Sequence, residues 1–270
     1  MTTPHADASE QPRDAGYSHL ARAVLYREFL LFVRYPANAI GGIVISIFFF
    51  GVLFYGGQMV AGQALTDSIE GIIVGYFLWT LSVGAYSSIS NDIASEVQWG
   101  TLERHVMTPF GFAPVALLKG VAKIVRTFIT SAIVLAVMLL LTGTTLALNL
   151  GTIGVVATLS IVSVLGLGLA AGGVTVLYKQ IGNWLILLQF GFIVLISAPA
   201  FEVGWLRVLP LAHGSALLQR AMIDGTRLWE FTPLEVGLLF GVAVGYLGLG
   251  YVVFRYATNR ARRLGVLGDY

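Results

Sequence analysis

Residues able to do covalent or acid–base chemistry are few in this chain and do not converge. There is no cysteine, which excludes a disulfide framework, a thiolate metal site and a thiol nucleophile. His213 stands apart from any second ligand or base, as does His105, and no H-E-x-x-H pattern occurs. An intramembrane enzyme would need paired catalytic carboxylates, a Ser/His pair or clustered histidines, and none is apparent. No G-x-x-x-x-G-K-[ST] sequence is present, so the chain does not bind ATP through that motif. The one notable grouping is acidic. In Asn91–Pro109, NDIASEVQWGTLERHVMTP, a helix continued through Gly100 would bring Asp92, Glu96 and Glu103 within roughly 40° of one another. Leu102 and Val106 flank them and make the surface amphipathic. Such a face can dock onto a soluble partner; pattern alone favours a solvated linker helix.

The surroundings of this stretch are those of a membrane protein. Of 270 residues, 57% are hydrophobic and only 11% charged, with 32 glycines, a composition outside that of ordinary soluble domains. Six apolar segments follow from the pattern: about 37–55, 71–90, 124–141, 152–178, 184–198 and 234–256. The expected fold is therefore all-α, a polytopic bundle of six transmembrane helices over 37–256. Residues 1–16 are polar and read as a disordered tail, and 257–270 as a basic tail. Over 17–36 apolar residues recur at helical spacing between Arg22, Arg27 and Arg34, which predicts an amphipathic interfacial helix ended by Pro36. The first span lies too far from the N-terminus to be a cleaved signal peptide.

Glu96–Pro109, E-x-x-x-G-T-L-E-x-x-x-x-T-P, resembles the cytoplasmic signature of ABC-2 type transporter permeases, the membrane subunits of ATP-driven exporters. The resemblance extends from Tyr17 over nearly the whole chain. It implies that 91–109 is a coupling helix seated in the ATPase subunit, with Asp92, Glu96, Gly100, Thr101, Leu102, Glu103 and Pro109 as coupling residues. It further implies two ABC ATPase subunits that bind ATP and Mg, no cofactor in this chain, and a second permease copy or a similar permease. The region 199–233, with Pro210-Leu211, Arg220 and Gly225, is similar to the family's outer re-entrant segment. Glu202, Arg207, Arg220 and Asp224 would then be outer-gate residues, although paired structural charges fit them as well. A second short amphipathic helix is expected at 213–227. Aromatic residues of spans one, two and five, namely Phe48, Phe49, Phe50, Tyr76, Phe77, Phe190 and Phe192, would wall a path for a drug, lipid or lipid-linked glycan.

Three glycine patterns read as packing features. Gly166–Ala171 mimics a dinucleotide fingerprint, but it sits in an apolar run with no acidic ribose partner. Gly168 and Gly172 instead predict close helix contact, and Gly237, Gly241 and Gly245 a groove for a neighbouring helix. Trp79, in the middle of a span, reads as packing, and Lys119, Lys123 and Arg126 as cations that snorkel to headgroups. Thirteen Lys and Arg residues fall on the face that holds both termini and Glu96, against Arg207, Arg220 and Arg227 opposite. By the positive-inside rule the termini are cytoplasmic in a multi-pass cell-membrane protein. No basic run with interleaved aromatics points to nucleic acid. Spans one, two and five lack central ionisable residues, which counts against an ion-coupled secondary transporter. That reading and a non-transporting scaffold subunit are the alternatives.

Overall fold

The computed structural model describes residues 36–61, 68–98, 112–178, 182–201 and 204–263, with Ala21, Arg22, Leu25, Tyr26, Arg27, Leu30 and Arg34 before them. The expected N-terminal tail, most of the interfacial helix, residues 99–111 of the coupling stretch and the last seven residues lie outside the described set. Among the described residues all regular structure is helical. The elements are α1 (Pro36–Ala61), α2 (Ile69–Gln98), α3 (Phe112–Thr142), α4 (Leu150–Tyr178), α5 (Gly182–Ser197), α6 (Ala212–Met222) and α7 (Pro233–Arg263). Single 3-10 turns occupy Ala198–Phe201, Gly204–Val208 and Leu228–Glu230.

Local chemistry sets several of these boundaries. Pro36 opens α1, where a missing N–H costs nothing. At the end of α3 the chain leaves the helix through Gly143 at φ 66°, whose N–H reaches the Leu139 carbonyl at 2.9 Å. α7 starts with a capping box around Pro233. The Glu235 carboxylate accepts from the Thr232 N–H at 2.9 Å, and the Glu235 N–H donates to the Thr232 hydroxyl at 3.3 Å. α7 continues through Arg263 into what the sequence reads as a basic tail.

Among the described residues, five stretches are long and apolar enough to cross a bilayer: Ile40–Val60, Ile69–Asp92, Gly120–Thr142, Leu150–Tyr178 and Pro233–Ala261. The sixth is composite. α5 has 16 residues, about 24 Å of helix, and reaches the thickness of a hydrocarbon core only with the following 3-10 turn, which adds roughly 8 Å. Pro199, in that turn, lacks the N–H needed to continue the α-helical ladder. Hydroxyls inside the spans bond back to their own helix, as Ser82 does to Leu78 (2.7 Å), Ser90 to Tyr86 (2.7 Å) and Ser160 to Val156 (2.7 Å). A polar side chain can thus enter a water-free environment without leaving its donor unmet.

α2 and α4 form the centre of the bundle, with 50% and 56% of their spans buried, against 11% for α1. Ile45, Phe48, Val60, Leu140 and Leu234 are exposed apolar surface, tolerable where hydrocarbon rather than water surrounds the protein. The tightest contact joins α4 to α7. A Cβ on Gly250 would stand 1.9 Å from the Gly166 carbonyl oxygen, and one on Gly166 would stand 2.1 Å from that of Tyr246. Gly173 repeats the approach two turns on, 2.9 Å from the Phe254 Cα. The close contact therefore falls on Gly166 and Gly173, while Gly168 faces Tyr86 of α2 at 3.4 Å. Gly237, Gly241 and Gly245 have no neighbour within 4 Å. α7 turns Leu239, Ala243, Gly250, Phe254 and Ala257 inward, which leaves those three glycines on the other face.

The amphipathic helix expected at 213–227 is shorter, Ala212–Met222, and buried on eight of its eleven residues. It ends where Asp224 and Gly225, at φ 71°, redirect the chain. Gly214 abuts Ser160, ten residues into α4, while Met222 accepts from the Ala147 N–H at 2.8 Å just before α4 begins. α6 therefore runs beside the first half of α4, and the chain re-enters the bundle to a depth of about 15 Å. Leu211, buried and at φ 68°, makes the turn into it.

Candidate functional site

Spacing on α2 places Tyr76, Thr80, Val83, Gly84, Ser87, Ser88, Asn91 and Asp92 along one face, since residues three or four apart fall on the same side. α3 answers with Lys123, Arg126, Thr127, Thr130, Ser131 and Val134. With Gly42, Ile43, Ile45, Ser46 and Phe49 of α1 and Ile186, Gln189 and Phe190 of α5 they line a half-open cavity of about 650 Å³, a size usual for small-molecule sites. Its polarity is graded, charged at the end near the last turns of α2 and aromatic at the other.

At the charged end Lys123 donates to the Asp92 carboxylate and, at 3.0 Å, to the Ser88 carbonyl. Its side chain is 13% exposed, so it is a paired cation rather than the snorkelling one expected. Arg126, one turn along α3, is exposed and has no ion-pair partner among the described residues. Midway, the Gln189 amide donates to the Ser87 hydroxyl at 3.1 Å, and the Trp79 indole N–H donates to the Gln189 carbonyl at 3.3 Å. These bonds tie α5 to α2. At the far end the Tyr76 hydroxyl donates to the Ser46 carbonyl at 2.6 Å, and the Tyr76 and Phe49 rings lie 5.3 and 6.1 Å from that of Trp79.

The expected path residues divide among three environments. Phe49, Tyr76 and Phe190 line the cavity. Phe50, Phe77 and Phe192 are buried in the core, Phe192 edge-on to Tyr86 at 5.4 Å. Phe48 turns outward and is 69% exposed. Of the coupling residues, Asp92 is committed to Lys123, and Glu96 lies one turn further on the same helix. Gly100, Thr101, Leu102, Glu103 and Pro109 lie outside the described residues.

Of the four expected gate residues, Glu202 is outside the described set, and Arg207 and Asp224 are exposed. Arg220 pairs with Glu235 at 2.5 Å and lies 5.0 Å from the centre of the Phe231 ring. His213 is buried against α7, with Nε2 2.9 Å from the Glu235 carbonyl. No group of three His, Cys, Asp or Glu among the described residues could hold a metal. Sequence reading missed Trp79, Gln189 and the Lys123–Asp92 pair as cavity walls. The available signal was a stripe of Ser, Thr and Asn every fourth residue along α2, in a helix otherwise apolar enough to span.

A helical bundle with apolar outer faces, five helices long enough to span among the described residues, and a half-open cavity graded from charge to aromatic rings is a multi-pass membrane protein. Residues 19–221 match the ABC-2 type transporter family, and the chain belongs to it. It is the non-catalytic membrane permease of an ABC transporter, and permeases of this family work with ABC ATPase subunits in general. No curated protein matches the chain.

Proposed function

We propose that the chain is the membrane half of an exporter that moves a hydrophobic or amphipathic substrate out of the cytoplasm. Drugs, lipids and lipid-linked glycans are the substrate classes this reading allows. Two separate ATPase subunits bind ATP and Mg, and a second copy of the chain or a similar permease completes the path. The protein sits in the cell membrane with both termini cytoplasmic, the side favoured by thirteen of its sixteen Lys and Arg residues.

The observation that carries this reading is the position of the cavity on α2. The helix that supplies its longest wall runs directly into the Glu96–Pro109 motif, so force applied to the motif acts on the wall without an intermediary. Replacing Glu96 and Glu103 together by alanine is expected to abolish transport and its coupling to ATP hydrolysis while membrane insertion is retained. Reconstituted vesicles report transport, and fractionated membranes report insertion. Normal transport by the double variant would refute the coupling role.

A further inference from the structure

Among the described residues, charge in the cavity does not balance: Lys123 and Arg126 line it with a single carboxylate, Asp92, and the other polar groups of the wall are neutral hydroxyls and amides. Lys123 is satisfied by Asp92 and the Ser88 carbonyl, whereas Arg126 has no such partner among the described residues. Arg126 lies within the apolar run of α3, which the sequence places at about 124–141, and its side chain lines the cavity. Ionisable groups at such positions are costly unless they meet water, a counter-charge or a substrate. A guanidinium offers a rigid fork of N–H donors suited to an oxyanion. From Asp92 the wall runs sixteen residues along α2, about 24 Å, to Tyr76, where Phe49, Trp79 and Phe190 supply apolar and aromatic surface.

Resting on the permease reading above, we propose that this cavity binds an amphiphile with an anionic head, the head at Arg126 and the apolar body among Phe49, Tyr76, Trp79 and Phe190. A cationic amphiphile is disfavoured, because the one carboxylate among the described residues of the wall is already held by Lys123. The proposal narrows the cargo to one charge class and makes Arg126 its specificity-determining residue.

The test uses the full-length permease with its ATPase in phosphatidylcholine nanodiscs and radiolabelled dodecyl phosphate as probe, without nucleotide. Binding is expected to be saturable and to weaken about tenfold or more in Arg126→Gln, the scale of one lost charge-assisted hydrogen bond. Arg126→Lys, which keeps the charge, should recover part of the loss. Dodecyltrimethylammonium of equal chain length should compete poorly, and inorganic phosphate only at far higher concentration. Unchanged binding in Arg126→Gln, or equal competition by the cationic amphiphile, would overturn the proposal. Equal competition by inorganic phosphate would also overturn it, as it would make this a free-anion site. ATPase co-purification and hydrolysis are measured on the same samples. Their absence counts against the permease reading, while the binding isotherm still decides the site.

Discussion

Gly250→Ala measures how tightly α4 and α7 are joined. The added methyl would sit 1.9 Å from the Gly166 carbonyl oxygen, against about 3.4 Å for an ordinary contact, so the helices must part locally by roughly 1.5 Å. Both atoms in conflict belong to helical backbone, and no side chain can rotate away to relieve them. Overpacking of this kind costs about 1–3 kcal/mol, with the upper end expected where a whole helix must move. Gly241→Ala on the same helix is the control. It has no neighbour within 4 Å, and alanine should gain about 0.5–1 kcal/mol there from helix propensity. The propensity gain is common to both variants, so they should differ by the overpacking cost alone, about 2–3 kcal/mol, or roughly 4–12 °C in unfolding midpoint for a chain of this size. Thermal unfolding in mild detergent, followed by loss of the monodisperse chromatographic peak, reports the difference. A Gly250→Ala protein as stable as Gly241→Ala would refute the backbone contact between α4 and α7.

Two further outcomes follow from local geometry. Leu211 combines a buried side chain with φ 68°, so Leu211→Gly should be about 1 kcal/mol more stable than Leu211→Ala, because glycine relieves the backbone strain that alanine keeps; the order of the two unfolding midpoints checks this. A Cβ on Gly84 would lie 3.6 Å from that of Thr127, within the range for a disulfide, and the chain has no cysteine to interfere. Gly84→Cys with Thr127→Cys should therefore cross-link α2 to α3 on mild oxidation, read as a mobility shift reversed by reductant, and failure to cross-link would contradict the α2–α3 packing.

The spans were legible because each is an apolar run of nearly bilayer length, and the last, read as 234–256, does begin beside Pro233. Glycine roles were harder to read. Spacing identifies which glycines share a face, but not which helix that face meets: Gly168 packs on Tyr86 of α2, whereas Gly166 and Gly173, on another face, make the contact with α7. α6 was expected as a short amphipathic helix within a re-entrant segment, with Arg220 among apolar residues. Its charge is met by Glu235, fifteen positions away on another helix, which lets the segment bury itself. The cavity was least legible. Its wall draws on four helices, and their neighbours are fixed by tertiary packing that no local pattern encodes.

α2 is the element through which these features meet, since it packs against α3, α4, α5 and α6. Its contacts differ in kind around the circumference. Toward α4 they are close and largely apolar, with Tyr86 above Gly168 and Ile161 and Val164 buried nearby. Toward α3 and α5 they include the Lys123–Asp92 pair, the Gln189–Ser87 bond and the cavity itself. Separating the apolar side would forfeit packing that nothing replaces, whereas polar contacts beside a cavity can be exchanged for bonds to water or ligand at small net cost. Displacement of the base of α2 by a partner would therefore be taken up on the side of α3 and α5. That is the side on which the cavity opens, and an anion at Arg126 would alter the same network from within.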